Sequence, residues 1–531
     1  MQIGKTNKTN RLGLCALMAL IASFGLNAQT AKQTPLVLNI IVEGLQDDYL
    51  TLLESQFTGG GFKKLMHEGL AMTDIDFGPG LDATAATAVL HTGAPPMVNG
   101  IPSDAIFSPT DNKSTKVLLD PKYIGNFTTE TYSAKGIKVS TISDEFRIAS
   151  DGRGMVYSLA ADPQMSIITA GHAANAACWI YDQTGNWASS TYYKDMPTSV
   201  SNRNYQNPLR NRLDTLEWVP SRSHIRYPLL TEEERQQSFN HKFPKKDLHR
   251  YELFKLTPVC NSEITDVAID LMTSTQMGRD ANPDMLNIVY TLSYPGATRM
   301  EIMDAYLRLD MDLERLFAVA EYISINKTAT IFLSGVPSNV GFAPDNAKWQ
   351  IPTGEYSIKK AMSLLEMYLM AIHGNGDWVT SYNDHQFYLN HKYITDKGLD
   401  LATFRTEVAE FLARMSGISN VYTIDDIIAA RVGDNPQALK RNTSIRHCGD
   451  VFVEVNPGWV IVNDYNTNIK QHRRTVERTN AVRIPAFILA PEVKASKIDT
   501  PVDARAIAPT VAQVIRIRAP NAASSKPIKV N

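Results

Sequence analysis

One stretch limits the fold more than any other. Residues 36–42, Leu36-Val37-Leu38-Asn39-Ile40-Ile41-Val42, are almost wholly apolar and run into Glu43-Gly44. A strand with no alternation of polar and apolar residues must be covered on both faces, as in a parallel sheet. Similar runs recur at 285–292, 329–334 and 484–489. Between them lie stretches with helical periodicity, at 264–277, 300–322 and 358–373. Strands alternating with helices predict an α/β fold, a mostly parallel sheet sandwiched by helices. Ligands in such sheets gather at the carboxyl ends of the strands, so the residues after Val42, Leu292, Ser334 and Leu489 matter most.

The remaining pattern fills in this frame. Helices are expected at 47–53, 62–68, 83–91, 141–149, 401–415 and 506–514, with further strands at 70–77 and 155–160. Residues 450–455 and 459–462 read as a hairpin around Asn456-Pro457-Gly458. From 170 to 256 the chain is rich in Trp, Tyr, Asn, Ser and Pro in short segments. This reads as an inserted cap folding over a site. The expected organisation is a signal peptide at 1–29, one α/β domain at 30–528 and a tail at 529–531.

Lys5, Lys8 and Arg11 precede a short apolar run, 12–26, that ends at Asn27-Ala28-Gln29. A basic start, a short apolar stretch and a small residue predict a cleaved secretory signal, and the run is short for a membrane span. No later stretch is apolar enough to span. The expectation is an exported chain, in the periplasm or cell envelope, soluble after cleavage. The net charge of −2 over 531 residues gives no electrostatic reason for a nucleic-acid partner. Cys178, Cys260 and Cys448 would remain after cleavage, an odd number at wide spacing, which is no disulfide framework and no zinc pattern.

The chemistry-bearing stretch is Asp82-Ala83-Thr84-Ala85-Ala86-Thr87, a loop leading into a helix of small and hydroxyl residues. A strand-end carboxylate with a hydroxyl at a helix N-terminus suits a hydrolase that uses a metal and a nucleophile. Several segments carry this further: 42–50, 60–65, 91–101, Ala170-Gly171-His172, Asp304-Ala305-Tyr306-Leu307-Arg308-Leu309-Asp310, 441–459 and 507–510. In that order and spacing the chain resembles the alkaline phosphatase superfamily, in particular exported bacterial PafA-like phosphatases, relatives of the type I phosphodiesterase/nucleotide pyrophosphatase group.

The resemblance implies an alkaline-phosphatase-like core and, in active members, two zinc ions held by aspartates and histidines. It also implies a threonine nucleophile, with Asn, Lys and Arg on the phosphate oxygens. Carried over residue by residue, the first metal carboxylate falls on Glu43 and the nucleophile on Ala83, with Thr84 beside it. The phosphate-binding positions fall on Asp104, Ala160 and Asp162. The remaining metal positions fall on Val289, Ser293, Val336, Pro337 and the region of Arg474, with His472 two residues away. One of six ligand positions keeps a group able to bind metal, so no zinc and no other cofactor is expected.

Other residues stay open. Glu43 is a ligand remnant or a strand-end acid paired with a cation. Thr84 and Thr87 are nucleophile substitutes or helix-surface hydroxyls. His172 has a site role or shapes the cap. Trp179, Trp187, Tyr192 and Tyr193 line a pocket or pack the insertion. His385, His391 and the His447-Cys448 pair have poor metal spacing. The cleft candidates are therefore Glu43, Asp82, Thr84, Asp104, His172 and Trp179. The leading expectation is a degenerate member that acts by binding an unknown protein or small molecule. One alternative is an active phosphoesterase with a rebuilt zinc site, and another is a structural subunit of an envelope assembly.

Overall fold

The end of the first strand is held by a long helix on the other side of the chain. The structure, a computed structural model, describes residues 35–530 except 110, 112, 224–225, 339–351, 435, 465–472 and 477–481, with the side chains of 473–476 also outside it. The residues expected to form a signal peptide lie outside the described part. Ten strands make the main sheet: β1 (Leu36–Glu43), β2 (Leu70–Met72), β3 (Gly125–Asn126), β4 (Val156–Ala160), β5 (Ala176–Ile180), β6 (Trp187–Ser190), β7 (Asp284–Thr291), β8 (Thr330–Val336), β9 (Ala486–Leu489) and β10 (Ser496–Ile498). Their order is β10-β2-β9-β8-β1-β7-β4-β5-β6-β3. The five central strands β8-β1-β7-β4-β5 are parallel. Strand β9 runs against β8 and β2, and β6 runs against β5 and β3. The α/β class follows, with a parallel centre and mixed edges.

The apolar run of β1 is explained by two cores. Leu36, Leu38, Ile40 and Val42 face one cluster. Val37 and Ile41 face the other, which holds helix α1 (Ala83–Thr92). On that second face Asn39 Nδ2 donates to Asn287 Oδ1 at 2.8 Å and meets His91 Nε2 at 3.1 Å. Burial pushes His91 down to about 4, so its ring is neutral and Nε2 can accept. The alanines Ala85, Ala86 and Ala88 are wholly buried and let α1 lie close to the sheet.

Helix α2 (Pro163–Ala170) and helix α3 (Pro258–Thr275) lead to helix α4 (Arg299–Ile323). The first turn of α4 is closed by a capping box of Thr298 and Glu301. Its segment 304–310 does three jobs. Asp304 fastens part of the expected insertion: it accepts from Trp218 Nε1 (2.7 Å), Ser221 N (2.6 Å), Tyr227 OH (2.9 Å) and Arg308 Nε (2.7 Å). Tyr306 OH accepts from Gln46 N at 2.8 Å and donates to Gly44 O at 3.3 Å, which fixes the turn leaving β1. Asp310 accepts from Thr58 N and Phe62 N. A Cβ at Gly61 would sit 2.5 Å from the Asp310 carbonyl oxygen, so that approach needs glycine.

A smaller four-stranded sheet of Val379–Asn383, Gln386–Leu389, Val451–Val455 and Ile418–Thr423 has its own apolar core. Strand pairing corrects three expectations. Residues 450–455 and 459–462 are no hairpin. Val451–Val455 pairs with Gln386–Leu389 and Ile418–Thr423, while Val460–Asn463 pairs with Glu355–Ser357 and Arg473–Val476 in a separate sheet. The reason is long-range: Asn456 N donates to Gly417 O, which carries the pairing of Val451–Val455 with Ile418–Thr423 into the turn. The stretch 170–256 is not one cap either, because β5 and β6 within it belong to the main sheet. Residues 70–77 also split, since Ile75–Asp76 pairs with Val502–Asp503 rather than extending β2. Among the described residues, no helix is long and apolar enough to cross a membrane.

Candidate functional site

Pairing register brings the strand-end residues together. Glu43 closes β1, opposite Thr291 of β7 and Val336 of β8. Val289 lies one step below on the same face, opposite Ile41. Pro337 follows Val336, and Ser293 follows the end of β7. Gly44, at φ +79°, turns the chain away, and its N–H donates to Val336 O at 3.0 Å. A Cβ there would press on Ser293 N at 3.3 Å. Glu43 Oε2 is reached by Thr291 Oγ1 at 3.4 Å, and Thr291 Oγ1 accepts from Ser293 N at 3.0 Å. Ser293 and Ser338 share a hydroxyl contact. These are neighbours of one acid, and most cannot ligate a metal.

Two helix starts frame the same edge. Asp82 is the N-cap of α1: Oδ1 accepts from Ala85 N at 2.8 Å and Oδ2 from Asp104 N at 2.6 Å. Ala83 is the first helical residue, and Thr84 is buried one position on. Asp162 is the N-cap of α2, accepting from Gln164 N and Met165 N two residues past Ala160. Both acids are legible in sequence as Asp before a helix, Asp162 with Pro163 behind it. Their first duty is capping.

Electrostatics ties the acids into one group. Burial first, then Asp162, pushes Glu43 up to about 7, with a smaller push from Asp82. Burial pushes Asp82 to about 7. Asp162 is raised as well, by burial, against the pull of Lys116. Asp104 is not the bare anion expected at a phosphate position. It takes an ion pair from Lys116 Nζ at 2.5 Å and accepts from Gln164 Nε2 at 2.5 Å. Lys116 and Gln164 escape a sequence reading because they sit 12 and 60 residues from Asp104.

His172 is not in this cleft. It follows α2 and precedes β5, parallel to β4, so it lies at the opposite end of the strands from Asp162. Its Nδ1 meets Asp144 Oδ2 at 2.8 Å and its Nε2 meets Ile137 O at 3.0 Å. The Asp144 hydrogen bond raises its pKa, and the ring clasps Asp144 to the Ile137 carbonyl. Trp179 and Trp187 are fully buried core residues. Their indole N–H groups donate to Glu130 (3.3 Å) and Glu263 (3.1 Å). His391 pairs with Asp450 at 2.7 Å in the smaller sheet. Arg474 stands in a strand opposite Val462, away from the main sheet, and His472 lies outside the described residues. The three cysteines among the described residues are free thiols, with Cys178 and Cys260 buried. Among the described residues, no three His, Cys, Asp or Glu side chains come together as a group able to hold a metal ion.

Comparison with known proteins gives consistent matches along the whole chain. The family described as type I phosphodiesterase / nucleotide pyrophosphatase matches residues 37–480. Alkaline phosphatase PhoV of Synechococcus elongatus is 26% identical over 94% of this chain and 93% of its own. A protein of Myroides odoratus named calcium-transporting ATPase is 27% identical over 96% and 97%. The crystal structure of wild-type alkaline phosphatase PafA superposes with a TM-score of 0.81 at 24% identity, over 94% of this chain and 99% of that one. The last match speaks for the fold: an alkaline-phosphatase-like α/β core.

Proposed function

The chain belongs to the type I phosphodiesterase / nucleotide pyrophosphatase family, in the alkaline phosphatase superfamily, and from that premise we propose a binding protein built on a phosphoesterase scaffold. In this reading it has lost the two-zinc chemistry and carries no cofactor. The observation that supports it is the composition of the strand-end edge. Glu43 stands among Val289, Thr291, Ser293, Val336 and Pro337, with Ala83 and Ala160 at the nearby helix start and strand end. A catalytic zinc needs three protein ligands of imidazole, thiolate or carboxylate type, and two ions need more. One carboxylate with hydroxyls and apolar neighbours supplies too few. Without a metal, a threonine hydroxyl at Thr84 has no activating partner of the kind phosphoryl transfer needs.

The acids support the same reading from the other side. Asp82 and Asp162 stand close enough to raise the pKa of Glu43, and acids gathered at one edge disfavour a phosphate dianion there. The old cleft then suits a protein partner, or a neutral or cationic small molecule. The apolar N-terminal run supports export to the periplasm or envelope.

The rival reading, an active phosphoesterase with a rebuilt site, draws on the phosphatase names of the relatives. An assay separates the two. The mature chain, incubated with zinc and either p-nitrophenyl phosphate or bis-p-nitrophenyl phosphate, is expected to release p-nitrophenol no faster than buffer. Turnover that Thr84→Ala abolishes would establish the rival.

A further inference from the structure

Beside the strand-end cleft, and sharing Asp82 with it, lies a cavity of about 600 Å³. It opens between the loop segments at 79–82 and 102–107 and the smaller sheet. That is the size of a small-molecule site, and a boundary between two packed units is a common place for one. Its walls combine two kinds of surface. Leu81, Phe107 and Tyr388 give an apolar side, with the Phe107 and Tyr388 rings 4.7 Å apart between centroids. Asp82, Asp384 and Glu454 give an acidic side. Among the described residues that line it, none is a lysine or an arginine.

We propose that this cavity binds a small organic cation, an ammonium carried on an apolar or aromatic body. The inference rests on the binding-protein reading above and names its ligand class. Asp384 and Glu454, with Asp82 behind them and no lysine or arginine on the lining, attract positive charge, and aromatic faces add a favourable contact to it. A phosphate ester has the wrong sign. Asp82 keeps acceptor capacity although both its oxygens take a backbone N–H, because a carboxylate offers about four lone-pair sites. Glu454 is oriented by Asn420 Nδ2 at 2.8 Å. Covalent chemistry is disfavoured here: burial pushes the Cys448 thiol up to about 11, which leaves it protonated and unreactive.

The rim of the cavity is built at a conformational cost. Asn383 and Gln386 pair across a two-residue turn, so Asp384 and His385 occupy the two positions where Asn-Gly is favoured. Both have positive φ, +44° and +63°. An acid and an imidazole are thus held at the mouth where glycine would be easier.

The test is isothermal titration of the mature full-length chain with benzyltrimethylammonium, benzyl alcohol and phenyl phosphate. The ammonium is expected to bind at one site, about tenfold or more tighter than benzyl alcohol, with no binding of phenyl phosphate. Asp82→Asn and Glu454→Gln are each expected to weaken the ammonium about tenfold. Both variants should melt cooperatively, and Glu454→Gln leaves the helix cap of α1 untouched. Equal binding of benzyl alcohol, or ammonium binding unchanged in both variants, overturns the proposal. Absence of ammonium binding without phenyl phosphate hydrolysis refutes this site and leaves the binding-protein reading standing. Hydrolysis of phenyl phosphate refutes that reading itself.

Discussion

Replacing Asp304 with alanine is expected to lower the stability of the folded chain by about 3–5 kcal/mol, read as a fall in the urea midpoint. The carboxylate is wholly buried. Four donors converge on it, from Trp218, Ser221, Tyr227 and Arg308. Removing it leaves the buried Trp218 and Tyr227 donors without this acceptor and takes the carboxylate from Arg308, which keeps Val219 O. The loss is larger than a single hydrogen bond, because each orphaned donor keeps its desolvation penalty. Asp304→Asn keeps the shape and half of the acceptors, so its cost should be smaller. A change of under about 1 kcal/mol for the alanine variant would show that the 217–227 segment is not anchored there.

Glu43→Gln is expected to act in the opposite direction, and only at high pH. In the folded chain burial and Asp162 hold Glu43 protonated up to about pH 7, against an ordinary 4.5. Below 4.5 both the folded and unfolded chains carry the proton, and the residue costs nothing. As pH rises from 4.5 through 7, the unfolded chain releases its proton freely while the folded chain does not. Stability is therefore lost over that window. At pH 8 the glutamine variant should be more stable by about 1–3 kcal/mol, and at pH 4.5 no more stable than the parent. The measurement is a pair of urea titrations at the two pH values. A variant destabilised at pH 8, or stabilised equally at both, would contradict the placement of Glu43 among uncompensated acids.

The parts that could be read from sequence are those set by local chemistry. The apolar run ending at Glu43 announced a two-sided buried strand, and β1 is that strand, with alternate residues in two cores. The acid at position 82 precedes an expected helix that is there, whereas the helix opened by Asp162-Pro163 was not expected although Asp before Pro is a start signal. What failed was long-range. Asn456-Pro457-Gly458 is a turn, yet its flanks leave for different sheets because Gly417 takes the Asn456 N–H. His172 follows α2, and one helix is enough to carry it from the site end of the strands to the far end. The aromatic residues of 170–256 looked like a cap because composition does not reveal that Trp179 and Trp187 sit on main-sheet strands. Asp104 looked like an isolated charge because Lys116 and Gln164 reach it only after folding. The cavity could not be foreseen, since its walls come from segments some 300 residues apart.

On the proposed reading, the strand-end cleft holds no two-zinc centre. Elemental analysis of the mature chain, refolded or dialysed with excess zinc and then passed through a desalting column, tests it most directly. Well under one equivalent of zinc per chain is expected. Two equivalents retained per chain, reduced to one or none by Glu43→Gln, would contradict it.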